Sequence, residues 1–184
     1  MTRWLVLVLL GLVLGAIVHL VTIMALPRTA TQDAYSRLTS IAPVNRVVAI
    51  PPPTPEAAIM PFMDPAFAAG VCRYDLTAGP LKFTAPIGLA YTSVSFYTRR
   101  DIAFYAINDR AAGRQMIELD LMTPEQHADM PEEADVTAAD RLIVESPTAT
   151  GMIVIRALAP EPGLMTMARN VIAGAQCRPL PPQN

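Results

Sequence analysis

The side chains best suited to recognition chemistry gather between Tyr97 and Arg110, where Arg99, Arg100 and Arg110 stand among Asp101, Tyr105, Asn108 and Asp109. A guanidinium offers a planar fork of donors that matches a carboxylate or phosphate, so the three arginines are candidates for holding an anion. A charged hairpin tip, tied by its own turn hydrogen bonds, accounts for the same residues. Cys72 and Cys177 are the only two cysteines. Cys72 falls in the first clear strand and Cys177 directly follows the last amphipathic helix, so the pair is a disulfide candidate that would staple the C-terminal tail to the core. Such a bond requires the two Cα atoms to lie within about 7 Å. The alternative is a pair of buried free thiols, which are common core residues.

Other reactive side chains fall short of a pattern. Glu125, Asp129, Glu132, Glu133, Asp135 and Asp140 have the oxygen chemistry that calcium prefers, but they lack the alternating spacing and the glycine of a calcium loop. A solvated helix and loop is expected there. His127 is the sole histidine beyond the N-terminal apolar stretch, whereas zinc needs three or four His, Cys or carboxylate ligands. Ser93, Ser95 and Ser146 lie in strand-like runs without the glycine-flanked elbow of a nucleophilic serine. No catalytic, cofactor-binding or metal-binding residue is assigned, and a non-enzymatic domain is expected.

These side chains belong to a chain that starts in an apolar phase. Residues 4–26 run twenty-three positions without a charged side chain, bracketed by Arg3 and Arg28. As a helix this stretch spans roughly 34 Å, enough for a hydrocarbon core of about 30 Å. A cleaved signal peptide has an apolar core of only about 7–15 residues and needs small residues at its cleavage site, which residues 24–28 supply poorly. A retained anchor, in contact with the lipid bilayer through residues 4–26, is the expectation. Arg28 and Arg37 outnumber Arg3, which by the positive-inside count would put the remainder in the cytoplasm. The very short N-terminal flank, the signal-like start and the two cysteines argue the opposite. The expected topology is a single-pass inner-membrane protein with its C-terminal domain in the periplasm. All 16 acidic residues follow the span, and of the 14 basic ones only Arg3 precedes it, so the exported part is net negative and carries no nucleic-acid footprint.

Three regions are expected: residues 1–27 as the anchor, 28–58 as a short helix, strand and Pro-rich strap, and 59–184 as a β-rich extracytoplasmic domain. Helical spacing predicts a helix over 31–41, with Thr29 or Thr31 as N-cap and Pro43 beyond its end. A strand over 44–50 leads into Pro51-Pro52-Pro53-Thr54-Pro55, a stiff extended spacer. The runs 71–76, 81–85, 92–98, 102–107, 115–122, 141–146 and 152–158 read as strands from their β-branched and aromatic content, with turn signals between them. Thr92, Val94, Phe96 and Thr98 share one strand face, as do Ile102, Phe104 and Ala106, the alternation of half-buried antiparallel strands. Thr123 and Pro124 look like the cap and first residue of a helix. Residues 163–175 form the last helix, with Leu164, Met167 or Ala168, Val171, Ile172 and Ala175 in one apolar stripe facing a sheet. The expected fold is therefore mainly β with flanking helices: an N-terminal transmembrane helix, an antiparallel β-sandwich-like domain and a C-terminal amphipathic helix.

Several short segments carry a family resemblance. Met60-Pro-Phe-Met-Asp-Pro-Ala-Phe67 is followed by Cys72-Arg-Tyr-Asp-Leu76 and Gly79-Pro80, then by Ser95-Phe-Tyr97 and Asn108-Asp-Arg-Ala-Ala-Gly113. This order resembles the domain-of-unknown-function 1254 family over residues 42–158. Larger members resemble two β-rich domains in one chain, and this chain looks like a solitary, membrane-anchored form. The family has no assigned reaction to carry over to named residues. The expected function is a membrane-anchored envelope domain serving as a protein-interaction or structural module, with an envelope protein as partner. The alternative is a domain that binds or processes an anionic small molecule in a pocket between sheet and helices.

Overall fold

A computed structural model of the chain describes residues 2–29, 33–54, 58–112, 116–130 and 142–180, and divides it into two compact units, Met1–Asp33 and Ala34–Asn184. The first unit is one helix, α1 (Thr2–Thr29). Its stretch Thr2–Leu26 is long and apolar enough to cross a membrane, and the large apolar side chains from Trp4 to Leu26 are all exposed. Thr22 Oγ1 donates to Val18 O at 2.8 Å, which satisfies a hydroxyl within the helix itself.

The second unit is built from two sheets. The first has the order β1 (Val47–Ile50), β2 (Phe67–Asp75), β8 (Thr150–Leu158), β4 (Thr92–Thr98) and β5 (Ala103–Asn108), antiparallel throughout. The second has the order β7 (Leu142–Glu145), β6 (Met116–Met122), β3 (Leu81–Pro86) and β9 (Gln176–Pro179). Its β6 and β7 run parallel, a departure from the antiparallel expectation, because the chain crosses over between them and does not reverse in a tight turn. Period-two burial drives the layering. Leu81, Phe83 and Ala85 on β3 and Thr92, Val94, Phe96 and Thr98 on β4 are buried, and the Phe83 and Phe96 rings meet edge to face with centroids 6.0 Å apart.

The short helices do separate jobs. α2 (Ala34–Thr39) buries Tyr35 and Leu38 against the outer face of the first sheet, where Val71 and Met152 are buried with them and Ile50, Ile59 and Met60 pack alongside. α3 (Pro124–Ala128) starts in a capping box, with the Gln126 N–H donating to Thr123 Oγ1 at 3.3 Å and Thr123 N–H donating to Gln126 Oε1 at 3.0 Å. α4 (Met165–Gly174), preceded by a 3₁₀ turn at Pro162–Leu164, buries Ala168, Val171 and Ile172. At Gly70 a Cβ would come within 2.5 Å of Ile172 Cγ2, so a glycine on β2 lets this helix settle onto the sheet. In the stripe expected for α4, Ala168 turns inward and Met167 stays 46% exposed.

A further expectation is corrected. On β5 Ile102, Phe104 and Ala106 do not share one face: Ile102 and Ala106 are exposed, while Phe104 packs on the core together with Tyr105 and Ile107. The register shifts between Phe96 and Tyr97, so that Phe96 opposes Tyr105 and Tyr97 opposes Ala103. This bulge, at Phe104, switches the parity within the strand and brings the Phe104 and Tyr105 rings to 6.2 and 5.7 Å from Phe96. The C-terminal tail, to which the sequence assigns no element, forms β9 beside β3, and Cys177 thereby faces the core opposite Phe83. A disulfide joins Cys177 to Cys72 on β2, with Cα atoms 6.4 Å apart and a sequence separation of 105, and so ties one sheet to the other. Thr31, Pro55, Gly113, Gln115 and Arg141, with Glu132, Glu133, Asp135 and Asp140 of the acidic stretch, lie outside the described residues.

Candidate functional site

The three arginines singled out in the sequence do not converge. Arg99 and Arg100 sit in the β4–β5 turn, while Arg110 follows the other end of β5, whose six residues span roughly 20 Å. Arg110 and Arg100 are exposed. The Arg110 and Ala111 N–H groups both donate to Asn108 Oδ1, at 3.1 and 3.3 Å, so that turn is held by its own asparagine. Arg99 instead reaches α2. Its guanidinium carbon lies 4.1 Å from the Tyr35 ring centroid, and its Nη2 donates to Ser36 Oγ at 3.5 Å. Arg73 meets the same ring at 4.7 Å, donating to Ala42 O at 3.0 Å and to the Tyr35 hydroxyl at 3.3 Å. Asp101, at φ 60°, accepts the Ala34 N–H at 3.2 Å. The turn therefore grips the start of α2.

Several of the remaining reactive groups are occupied locally. His127 Nδ1 and Glu145 Oε1 are 2.7 Å apart on the partly exposed surface. Among the described residues no three His, Cys, Asp or Glu side chains gather as a metal site would require. Ser146 is fully buried, with its hydroxyl 2.9 Å from the Tyr74 hydroxyl and donating to Thr148 O at 2.7 Å. Burial pushes the Tyr74 hydroxyl above its ordinary pKa, the Ser146 contact opposing part of that rise. Asp75 is held below the usual carboxylate range by the Thr77 hydroxyl and the Thr77 N–H, which both donate to it, at 2.6 and 2.9 Å.

Two concave sites stand out among the described residues. A cleft of about 300 Å³ lies between the β3–β4 loop and α4, lined by Ile87, Leu89, Leu164, Met167 and Val171. It is mostly apolar. A larger cavity of about 620 Å³ lies over the outer face of the first sheet. Its floor comes from Ala69, Ser93, Met152, Val154 and Arg156; Met60, Phe62, Met63 and Phe67 form one wall, and Tyr91, Tyr97, Asp101 and Ala34 the other side. Phe62 is fully exposed and held at φ 58°, a conformation that bulky residues rarely adopt. Arg156 was not singled out by the sequence reading. The signal was present: one arginine stands in the otherwise apolar run Met152 to Leu158, at the parity of Val154.

Comparison with known proteins adds the lineage of this fold. A family model described as "Protein of unknown function (DUF1254)" matches residues 44–179. No curated protein matches the chain. Among solved structures, the VPA0106 protein from Vibrio parahaemolyticus is similar with a TM-score of 0.58 and 14% identity, over 82% of this chain and 38% of that one. An uncharacterized protein from Burkholderia cenocepacia is similar with a TM-score of 0.47 and 13% identity, over 78% of this chain and 36% of that one. The chain thus spans less than two fifths of the length of the solved proteins it matches.

Proposed function

The chain belongs to the DUF1254 family, described as of unknown function, and we propose that it is a membrane-anchored module of the cell envelope whose β-sandwich holds a protein partner outside the cytoplasm. The observation that carries this reading is the distribution of exposed apolar surface. α1 exposes large apolar side chains from Trp4 to Leu26, a surface that only an apolar phase covers well. On the sandwich, Phe62, Leu89 and Ile102 are exposed by 102, 86 and 62%. We take these three as the candidate anchors of the interface. The disulfide between Cys72 and Cys177 supports an oxidising compartment for the sandwich.

A photo-crosslinking amino acid placed at Phe62, Leu89 or Ile102 in intact cells tests the partner. The expected result is a discrete adduct with one envelope protein from at least one of these sites, and none from the exposed polar controls Thr77 and Glu161. Identical bands from the controls, or no adduct at all three apolar positions, would remove the partner reading. A second reading, a small anionic ligand, is favoured by the cavity of about 620 Å³ that has Arg156 in its floor.

A further inference from the structure

The cavity over the first sheet contains an arginine that the fold does not explain. β8 is the central strand of five, and Arg156 stands on its outer face directly between Ala69 of β2 and Ser93 of β4 in the register. Both neighbours are small, which leaves room around the guanidinium. The positions two residues away on the same face of β8 are Val154 and Leu158, so the charge rises from an apolar floor. Among the described residues Arg156 makes no ion pair or side-chain hydrogen bond. The side chain is exposed to the cavity, so its donors are solvated and open to an incoming ligand.

The other polar groups of the cavity divide by what they already do. Asp64 accepts the Ala66 N–H at 2.9 Å, and Asp101 accepts the Ala34 N–H at 3.2 Å, so both carboxylates are engaged with backbone. The hydroxyls of Ser93, Tyr91 and Tyr97 make no hydrogen bond among the described residues, and they line the same cavity as Arg156. One guanidinium and three hydroxyls are thus the uncommitted groups, a set of donors that matches an acceptor-only head. The wall opposite is apolar and adaptable, with Met60 and Met63 beside Phe62 and Phe67. The volume, about 620 Å³, is in the range of sites for ligands of a few hundred daltons.

We propose that this cavity binds a single-chain amphiphile with an anionic head, its head on Arg156 and its chain along the methionine and phenylalanine wall. The inference rests on the second reading above and names its ligand class. Carboxylate and phosphate share the geometry that fits the guanidinium fork, so both heads are accepted and an uncharged alcohol is not.

The test uses the full chain in phosphatidylcholine nanodiscs with diazirine-tagged lauric acid, dodecyl phosphate and dodecanol, followed by peptide mapping. Labelling of α1 reports partition into the bilayer and serves as the internal control. The acid, the phosphate or both should label the peptide that contains Met60 to Phe67 at least tenfold more than dodecanol, relative to α1. Unlabelled laurate should compete and acetate should not. Arg156→Gln should remove this labelling and Arg156→Lys should reduce it, with α1 labelling and thermal unfolding unchanged, since the side chain is exposed. Equal labelling by dodecanol, competition by acetate as strong as by laurate, or full labelling of Arg156→Gln would overturn the anionic-amphiphile assignment while leaving a ligand site in place. Labelling confined to α1 with every probe would overturn both the assignment and the ligand reading beneath it.

Discussion

The Arg99 guanidinium lies over the Tyr35 ring, 4.1 Å from its centroid, and so joins the β4–β5 turn to the first helix of the sandwich. A residue that the sequence offers as an anion ligand is thereby engaged in packing. Arg99→Ala should cost about 1 kcal/mol, the usual worth of a partly desolvated cation–π contact, whereas Arg100→Ala and Arg110→Ala should stay within about 0.5 kcal/mol. Tyr35→Ala, which also uncovers Leu38 and Arg73, should cost about 3 kcal/mol. Urea unfolding of the four variants measures this, and a Tyr35/Arg99 double-mutant cycle with no coupling would remove the contact from the energetics.

Tyr74 gives the stability an alkaline limit. The fold raises its pKa by burial, so the native state holds the phenolic proton more tightly than the unfolded chain does. Stability from this source is complete below the unfolded value of about 10 and is lost as pH rises through the higher native value. Tyr74→Phe should flatten the loss above about pH 10 in a pH series of melting temperatures. At neutral pH it should cost about 1–2 kcal/mol, because Ser146 loses a buried partner.

Gly151 should tolerate no side chain. A Cβ there would run into the Tyr97 carbonyl oxygen and the Tyr74 hydroxyl, and the first of these is backbone in a paired strand. Gly151→Ala should therefore cost about 3 kcal/mol, the upper part of the range for overpacking. Gly79→Ala, in an exposed turn with φ 139°, should be strained for its backbone alone and leave the core untouched. Near-ultraviolet circular dichroism separates the two, with altered tyrosine signals expected only for Gly151→Ala.

The Cys72 to Cys177 bond closes a loop of 105 positions, for which the chain-entropy model assigns roughly 4–5 kcal/mol. Unfolded, unreduced protein should show no titratable thiol, and two after reduction. The Cys72→Ala/Cys177→Ala double variant should lose stability by an amount up to that figure. Two free thiols in the unreduced protein would count against the bond and against export together.

The proposed anchoring and orientation are tested through α1. A C-terminal alkaline phosphatase fusion should be active, and the full-length protein should stay in the membrane fraction after carbonate extraction. An inactive fusion paired with an active cytoplasmic reporter would reverse the orientation, and a shortened soluble form would show that the segment is cleaved.

What the sequence determined by itself is what local physics controls. The apolar run of α1, the Thr123 cap with Pro124 after it, and the alternation on β3 and β4 are readable because a helix or strand exposes its own period to neighbours a few residues away. Tertiary structure decided whatever depends on partners far along the chain. The pairing of β8 between β2 and β4 puts Arg156 at the centre of a sheet face, and nothing within reach of Arg156 in sequence specifies that centre. The bulge at Phe104, opposite Phe96 and Tyr97, switched the parity within β5, since one extra residue in a strand exchanges its faces. Arg99 looked like a ligand-gripping residue because its charge is local and its partner, Tyr35, lies 64 positions away. The tail became β9 because the edge of β3 offered unpaired backbone donors and acceptors, a demand written in the sheet and invisible in the tail itself.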